Sequence, residues 1–497
     1  MPDSWKNTFN QILMKSCDCL WALFLLSLPF TSLPLVTKII GSQMVAVPSG
    51  LVAAVLVAVW LIPAIIRGLS IPNHTLPLLL FVLIALIATL LAFFYPLPSF
   101  KGFTSIKENL ESIITLLLGV FLYLVTMLWL REKKSEAEFD RTLRLITIGG
   151  ILILLKALIE FLLWQQVGRY PVWYRTIHNI FSTGTLFRAR VTAFAYEPSW
   201  LADQLNLLYI PYWFAATVTR RSAFKRRLWI YQVEDFCFVF GVLALVLTLS
   251  RLGYLSFLLM VGVLFIRGTV FAADWIQKRV TTRIPRFQES SRRTLLRFGV
   301  GVLIALIYLG LLSAAFFALR TLDYRNEEIF SIDLKKFNIL KYAEELSFGA
   351  RVSYWIAGWN IFNRYPLLGV GLGNAGFYFP EQLPAYAWRL REIRELIFHT
   401  SGLLNIKSLW FRILAETGII GFSAFASFLT VVFVLITHLR RNEHKLAKTL
   451  NLMGIFAFAA FFIEELSLDS FALPYFWVSF AIAVAGYEYM KTADENK

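Results

Sequence analysis

Charge is scarce in this sequence. Asp, Glu, Lys and Arg make up 16% of its 497 residues, where an average soluble domain carries about 25%. That scarcity argues against an ordinary water-soluble enzyme. Cysteine is scarcer still, with only Cys17, Cys19 and Cys237. Three thiols make no disulfide framework, and the C-x-C of Cys17 and Cys19 lacks the second pair that a zinc site needs. They read as small membrane hydrophobes. No metal and no cofactor is expected. Acid is outnumbered by base, 32 residues against 48, which leaves a net charge of +16. The basic excess sits in loops between apolar runs, so membrane topology accounts for it and no nucleic-acid partner is expected. No cleavable signal peptide is expected, because the first apolar run, near 18–40, is too long and has no A-x-A-like site. Internal repeats and low-complexity tracts are missing too.

What the chain has is hydrocarbon. It is 58% hydrophobic and 16% aromatic, with a mean hydropathy of +0.64. Apolar runs of about 20 residues recur, long enough to cross ~30 Å of bilayer. The expectation is an all-α, polytopic membrane protein with about twelve spans. They fall near 18–38, 45–66, 76–95, 112–130, 143–164, 197–218, 229–249, 253–271, 298–320, 409–438, 450–465 and 471–489. The loops 131–144, 220–227, 267–297 and 440–448 hold five, five, eight and four Lys/Arg. All lie on one side if both termini are cytoplasmic. Residues 321–408 then form a large outer loop between spans nine and ten, long enough to need structure of its own. Three regions follow: 1–320 with spans one to nine, the outer loop 321–408, and 409–497 with the last three spans. The loop reads as helical. Trp355, Ile356, Trp359 and Phe362 make one amphipathic stripe, and Leu390, Ile393 and Ile397 make another. Such helices suit a membrane interface.

Against this background, "LTLSRLGYLSF" (247–257) is unusual. Arg251 stands between two apolar runs at the tip of a hairpin. A charge near hydrocarbon costs at least ~2.5 kcal/mol without water or a partner. It is either a boundary anchor or a fork for a phosphate or carboxylate. A second stretch, "FNRYPLLGVGLGNAGFYFPEQ" (362–382), mimics a dinucleotide fingerprint. No strand–turn–helix unit surrounds it, so nucleotide binding is rejected and Gly369, Gly371 and Gly373 are assigned to a tight turn. A third, "KSLWFRILAETGIIGF" (407–422), sets Arg412 and Glu416 one helical turn apart, as Lys156 and Glu160 are in span five.

In order and spacing these stretches resemble the O-antigen ligase and polysaccharide polymerase superfamily. "YEPSWLADQL" (196–205) is similar to the E-P-S stretch of exopolysaccharide polymerases, and "DSFALPYFWVSFAIAVAG" (469–486) to the closing span. The ordered match covers about 190–490. The resemblance implies a metal-independent, inverting glycosyltransferase on the outer face of the bacterial inner membrane. Its donor would be an undecaprenyl-diphosphate-linked oligosaccharide and its acceptor a glycan or lipid, among membrane lipids and with a flippase and a chain-length regulator as further partners. Arg251 would hold the donor diphosphate. Glu197 is either a general base or the N-cap of span six. Arg188, Arg190, Arg351 and Arg364 are either further donor contacts or interfacial anchors. Family ligases carry a histidine just before span ten. That position aligns with Lys407, while His399 lies eight residues earlier. Either His399 serves, or no ligase histidine is used, which favours a polymerase. His178 is a further outer-side candidate without a motif. Glu464, Glu465 and Asp469 orient a sugar or, as favoured, pair with a loop arginine. A ligase and, more remotely, a bicarbonate-type transporter are the rival functions.

Overall fold

The computed structural model of the chain describes residues 3–40, 45, 47–224, 229–283, helical pieces between 299 and 313, 348–399 and 402–495. Among them the regular elements are helices, with no β-strand. The expected ninth span, 298–320, lies mostly outside the described residues, as do 321–347 of the outer loop and 284–297 of the basic loop. The chain divides into two compact units, Met1–Ser256 with Ser353–Lys497, and Phe257–Val352.

The helices follow the apolar runs. The first expected span is corrected: α1 (Asp3–Leu26) stops, and α2 (Pro34–Ile40) restarts after a break. Pro29 lies in the break and Pro34 opens α2; a proline lacks the N–H that a continuous helix would use. Next come α3 (Pro48–Ile66), α4 (Asn73–Ala92), α5 (Ser105–Lys133) and α6 (Glu136–Val167). The short α7 (Val172–Phe181) precedes α8 (198–219), which has a π turn at Leu205–Tyr209. Then follow α9 (Val233–Leu247), α10 (Arg251–Arg283), α11 (Phe348–Arg364), α12 (Ala375–Gln382) and α13 (Arg391–Phe398). The last are α14 (Leu409–Arg441), α15 (Lys445–Glu464) and α16 (Tyr475–Glu495). Among the described residues six helices, α3 to α6, α14 and α15, are long and apolar enough to cross a membrane.

The described part of the outer loop is helical, and α13 buries Leu390, Ile393 and Ile397 as its spacing predicts. On α11 the face packed into the protein is Tyr354, Ala357 and Ile361, while Trp359 of the expected stripe is 46% exposed. The packed face is thus set one residue away from the stripe of Trp355, Ile356, Trp359 and Phe362. Trp355 stays at its edge, donating to the Leu466 carbonyl at 3.0 Å and stacking on Phe411 at 5.9 Å.

The first unit has two chemically distinct ends. At one, basic loops meet acids: Lys133 Nζ lies 2.8 Å from Asp18, Arg221 Nη2 lies 2.6 Å from Asp140 and 3.0 Å from Glu136, and His444 lies 3.5 Å from Glu136. The loops 131–144, 220–227 and 440–448 therefore share an end. Because α5 and α14 run the length of the unit, Ser112 and Arg412 near their starts belong to the other end.

Between the ends, small residues let aromatic ones interlock. Trp21 stacks on Trp129 at 5.4 Å, Phe214 on Phe456 at 4.8 Å, and Tyr123 meets Phe428 edge-on at 5.2 Å. Trp213 closes over Gly150 and Gly241. In the second unit Phe265 stacks on Tyr308 at 4.6 Å, and the Tyr308 hydroxyl donates to the Leu258 carbonyl at 2.9 Å.

A Cβ at Gly119 would lie 2.4 Å from the Phe471 carbonyl oxygen and 2.5 Å from Trp477 Nε1. Backbone on one side and a buried indole on the other leave no room to adjust. Gly119→Ala is expected to destabilise the protein by about 1–3 kcal/mol, read as a lower thermal midpoint in detergent.

Candidate functional site

The Arg251 turn is built from the ends of two helices. The last carbonyls of a helix have no intrahelical partner. For α9 they are taken from outside: Tyr254 OH donates to Val246 O at 2.5 Å, Val191 N to Leu247 O at 3.1 Å, and Arg190 Nε to Thr248 O at 2.8 Å. A guanidinium there also suits the negative end of the helix dipole. Leu249 then takes φ +49°, a left-handed conformation that a bulky residue adopts only under constraint. Ser250 caps α10, its Oγ accepting from Gly253 N at 3.3 Å and its carbonyl from Tyr254 N at 3.0 Å. Arg251 follows as the first helical residue, half-buried. A cation at a helix N-terminus runs against the dipole, so this arrangement is suited to an anion.

α8 packs against the start of α10: a Cβ on Gly253 would be 2.7 Å from the Ala202 methyl. Glu197 does occupy the N-cap position of α8, followed by Pro198. Its carbonyl accepts from Trp200 N and Leu201 N at 3.1 and 3.2 Å. Its carboxylate does not cap. It accepts from the Ser199 hydroxyl at 2.5 Å and remains half-exposed. Further along α8, about two turns beyond Glu197, lies a group that the sequence did not announce. Asn206 Nδ2 donates to Gly253 O at 2.9 Å and to Glu464 Oε1 at 2.6 Å. Beside them Asp203 is 1% exposed, and neither of its carboxylate oxygens has a hydrogen-bond partner among the described residues. The only signal for it was an acid in an apolar run.

The segment that carries Arg188 and Arg190 hangs on a buried polar hub. Lys156 Nζ donates to Glu160 at 3.2 Å, to His178 Nδ1 at 3.0 Å and to the Ala193 carbonyl. Glu160 accepts from Thr192 N at 2.7 Å, Ala193 N at 3.0 Å and Tyr174 OH at 3.1 Å. His178 Nε2 meets Gly184 O at 2.9 Å. With Lys156 donating to Nδ1, the neutral Nε2–H tautomer satisfies both contacts. Burial and the Lys156 ammonium push the His178 imidazole below its ordinary value. The i, i+4 pair expected at 156 and 160 is present, and His178 is one of its partners. Arg188 lines a cavity with Arg169, Arg175 and His178 of the hub.

At the same end, the glycine stretch docks on the start of α14. Gly369, Gly371, Gly373 and Gly418 all have positive φ. Val370 N donates to Ala415 O and Gly371 N to Glu416 O, both at 2.9 Å, and Gly373 N to Glu416 Oε1 at 3.0 Å. A Cβ on Gly369 would lie 2.5 Å from Ala415 O, and one on Gly373 would lie 2.5 Å from Glu108 O. The turn and close approach expected of these glycines are both seen. Arg412 Nε donates to Glu416 Oε2 at 2.9 Å, Nη1 to Asp469 O at 2.7 Å and Nη2 to Ser112 Oγ at 3.3 Å. A polar cavity of about 240 Å³ opens beside this knot, lined by Glu108, Glu111, Arg412, Glu416 and Asp469 among others.

Other expected residues stand apart. His399 is exposed at the C-terminus of α13, its backbone N–H donating to Glu395 O at 2.8 Å. Lys407 is engaged within the fold: Nζ lies 3.1 Å from Glu392 and 4.8 Å from the Tyr354 ring centre, and its N–H donates to Asp469 at 3.2 Å. Arg364 is exposed, 3.9 Å from Glu381. Arg351 lies in the first turn of α11. Of the 464–469 acids, Glu464 accepts from Asn206 Nδ2, and Asp469 gives its carbonyl to Arg412 and its carboxylate to Lys407 N. Among the described residues no group of three or more His, Cys, Asp or Glu is placed to hold a metal ion.

Removing the arginine from the Arg412–Glu416 pair would leave a buried carboxylate uncompensated. Arg412→Gln is expected to cost about 3–5 kcal/mol, against nearly nothing for Lys107→Gln at the exposed Glu111 pair; folded yield and thermal midpoint compare them. His178 gives a pH dependence. Its folded value is lowered, so below about pH 6.5 the unfolded chain gains a proton that the folded chain refuses, and stability falls on acidification. Melting at about pH 5.5 and 7.5 checks the sign, and the difference should shrink in His178→Gln.

A comparison with curated proteins finds no match for this chain. Residues 236–426 match the protein family described as O-antigen ligase. That stretch holds the Arg251 turn, the glycine stretch and the Arg412–Glu416 pair, so the similarity to the O-antigen ligase family falls on the part of the molecule that carries these features.

Proposed function

We propose that the protein is a polymerase of lipid-linked glycan on the outer face of the bacterial inner membrane. The observation that carries this reading is the Arg251 turn: a guanidinium on a capped helix N-terminus, with Arg190 fixed to the carbonyl of the preceding turn at 2.8 Å. Its location at the end away from the basic loops supports an outer site. In this reading twelve spans cross the membrane, both termini are cytoplasmic, and 321–408 is the outer loop between 1–320 and 409–497.

The chemistry is displacement at the anomeric carbon of a polyprenyl-diphosphate-linked sugar. The acceptor hydroxyl oxygen bonds to that carbon as its bond to the diphosphate oxygen breaks, and the electron pair leaves with the diphosphate. Attack from the opposite face inverts the centre. The departing diphosphate gains charge, which Arg251 and Arg190 stabilise through charge-assisted hydrogen bonds. Glu197 takes the acceptor proton. Its half-exposed carboxylate, steadied by Ser199, leaves an oxygen to receive it.

The matched family's description supports a second reading, a ligase that moves finished glycan to a lipid or protein acceptor. One experiment separates the two: purified protein with lipid-diphosphate-linked oligosaccharide as sole substrate. A ladder of longer lipid-linked products is expected, slowed about 100-fold or more in Arg251→Ala and unaffected in His399→Ala. Product formed only after a separate acceptor is added, and lost in His399→Ala, would make it a ligase. Unchanged rates in Arg251→Ala would remove Arg251 from the chemistry.

A further inference from the structure

The cavity that Arg188 lines is not part of the Arg251 turn, and its makeup points to a ligand of its own. It holds about 610 Å³ between the end of α6, the start of α7 and residues 185–188. Three arginines face it, Arg169, Arg175 and Arg188, and none of its lining residues is acidic. Arg175 is held in place, its Nε donating to the Tyr170 carbonyl at 3.0 Å. No carboxylate pairs with any of the three among the described residues. The wall is aromatic: Trp164 meets Tyr170 at 5.8 Å, and Tyr170 stacks on Tyr174 at 5.9 Å. The floor is fixed by His178, which belongs to the buried hub.

Its surroundings place it at a bilayer surface. α6 is one of the six helices able to span, and it ends at Val167, beside the cavity. Leu152, Leu155, Ile159 and Leu162 form an exposed apolar row leading to that end. After the left-handed Gly168, α7 buries Tyr174 and His178 and exposes Val172, Trp173, Ile177 and Ile180. A short helix with one apolar face outward, next to the end of a span, lies in the interface plane. Three guanidiniums with no carboxylate partner among the described residues are matched to phosphate at that depth, and an aromatic wall beside them suits the glycerol or sugar that carries it.

We propose that this cavity binds the phosphate of a lipid headgroup. The inference needs only that α6 crosses a membrane, and it stands whether or not the glycosyl-transfer reading does. Two sources share this chemistry: the anionic phospholipid of the surrounding membrane, and a polyprenyl diphosphate carrier. The cavity shares the 185–193 segment with Arg190 and the Arg251 turn. An occupied headgroup site would therefore brace the segment that closes the end of α9.

The test is lipid retention by the full-length protein in detergent, read by native mass spectrometry. The probes are phosphatidylglycerol, a polyprenyl diphosphate and, as a phosphate-free control, diacylglycerol. Wild type is expected to retain one or both phosphate lipids. The Arg169→Gln, Arg175→Gln, Arg188→Gln triple variant is expected to lose about tenfold or more of that retention, with diacylglycerol unchanged. The triple Arg→Lys variant keeps the charge and is expected to recover most of the binding, which separates lost recognition from lost folding. Which phosphate lipid responds identifies the source. Equal retention by wild type and the Gln variant, or displacement by diacylglycerol as effective as by either phosphate lipid, would overturn the proposal.

Discussion

Three parts of the chain meet at the Arg412 guanidinium. It ties α14 to its own Glu416, to the carbonyl of Asp469 before α16, and to Ser112 on α5. Glu416 in turn accepts from Gly373, so the glycine stretch joins the same knot. In an apolar surrounding, each of these groups would carry a large desolvation penalty alone. Bonded together they are satisfied, and they hold the polar end of the first unit in one arrangement. The glycines are required because the backbone of 369–373 lies directly on Ala415 and Glu108, where a Cβ has no room.

The hub of Lys156, Glu160 and His178 does the same work a short way along. It fixes residues 184–193 by their backbone at Gly184, Thr192 and Ala193, and Arg188 and Arg190 between them have different surroundings. Arg190 closes the end of α9 while Arg188 lines a cavity. Two arginines separated by one residue thus serve two places, and the left-handed Ala189 between them, φ +54°, makes the divergence possible. Beneath the Arg251 turn, Asn206 bridges α10 and α15, which relates the depth of the turn to the acids at the end of α15.

Local features were legible in the residues. The i, i+4 pairs Arg412–Glu416 and Lys156–Glu160 formed as spacing predicts, because both partners share one helix face. The Arg251 hairpin was legible because only a few polar or small residues separate two apolar runs. The α11 stripe named from the sequence is not the face that packs into the protein: Tyr354, Ala357 and Ile361 are buried, with Trp355 at their edge. Aromatic residues with a polar atom sit comfortably at an edge, and one residue of rotation on a helix changes the buried set. The surroundings of Lys407 could not be judged from sequence, because Tyr354 and Glu392, which engage it, are 53 and 15 residues away along the chain.

The sequence by itself determined a membrane class, the helical composition and the positions of the unusual charges. Hydrocarbon sets the length and polarity of a span, and those are properties of consecutive residues. Only the tertiary structure decided which charges meet. Ser112 reaches Arg412 across 300 positions, Asn206 reaches Glu464 across 258, and Arg190 reaches Thr248 across 58. It also separated Arg188 from Arg190 and left Asp203 buried without a hydrogen-bond partner among the described residues. Buried polar groups must find partners wherever packing brings them, and packing is a property of the whole chain.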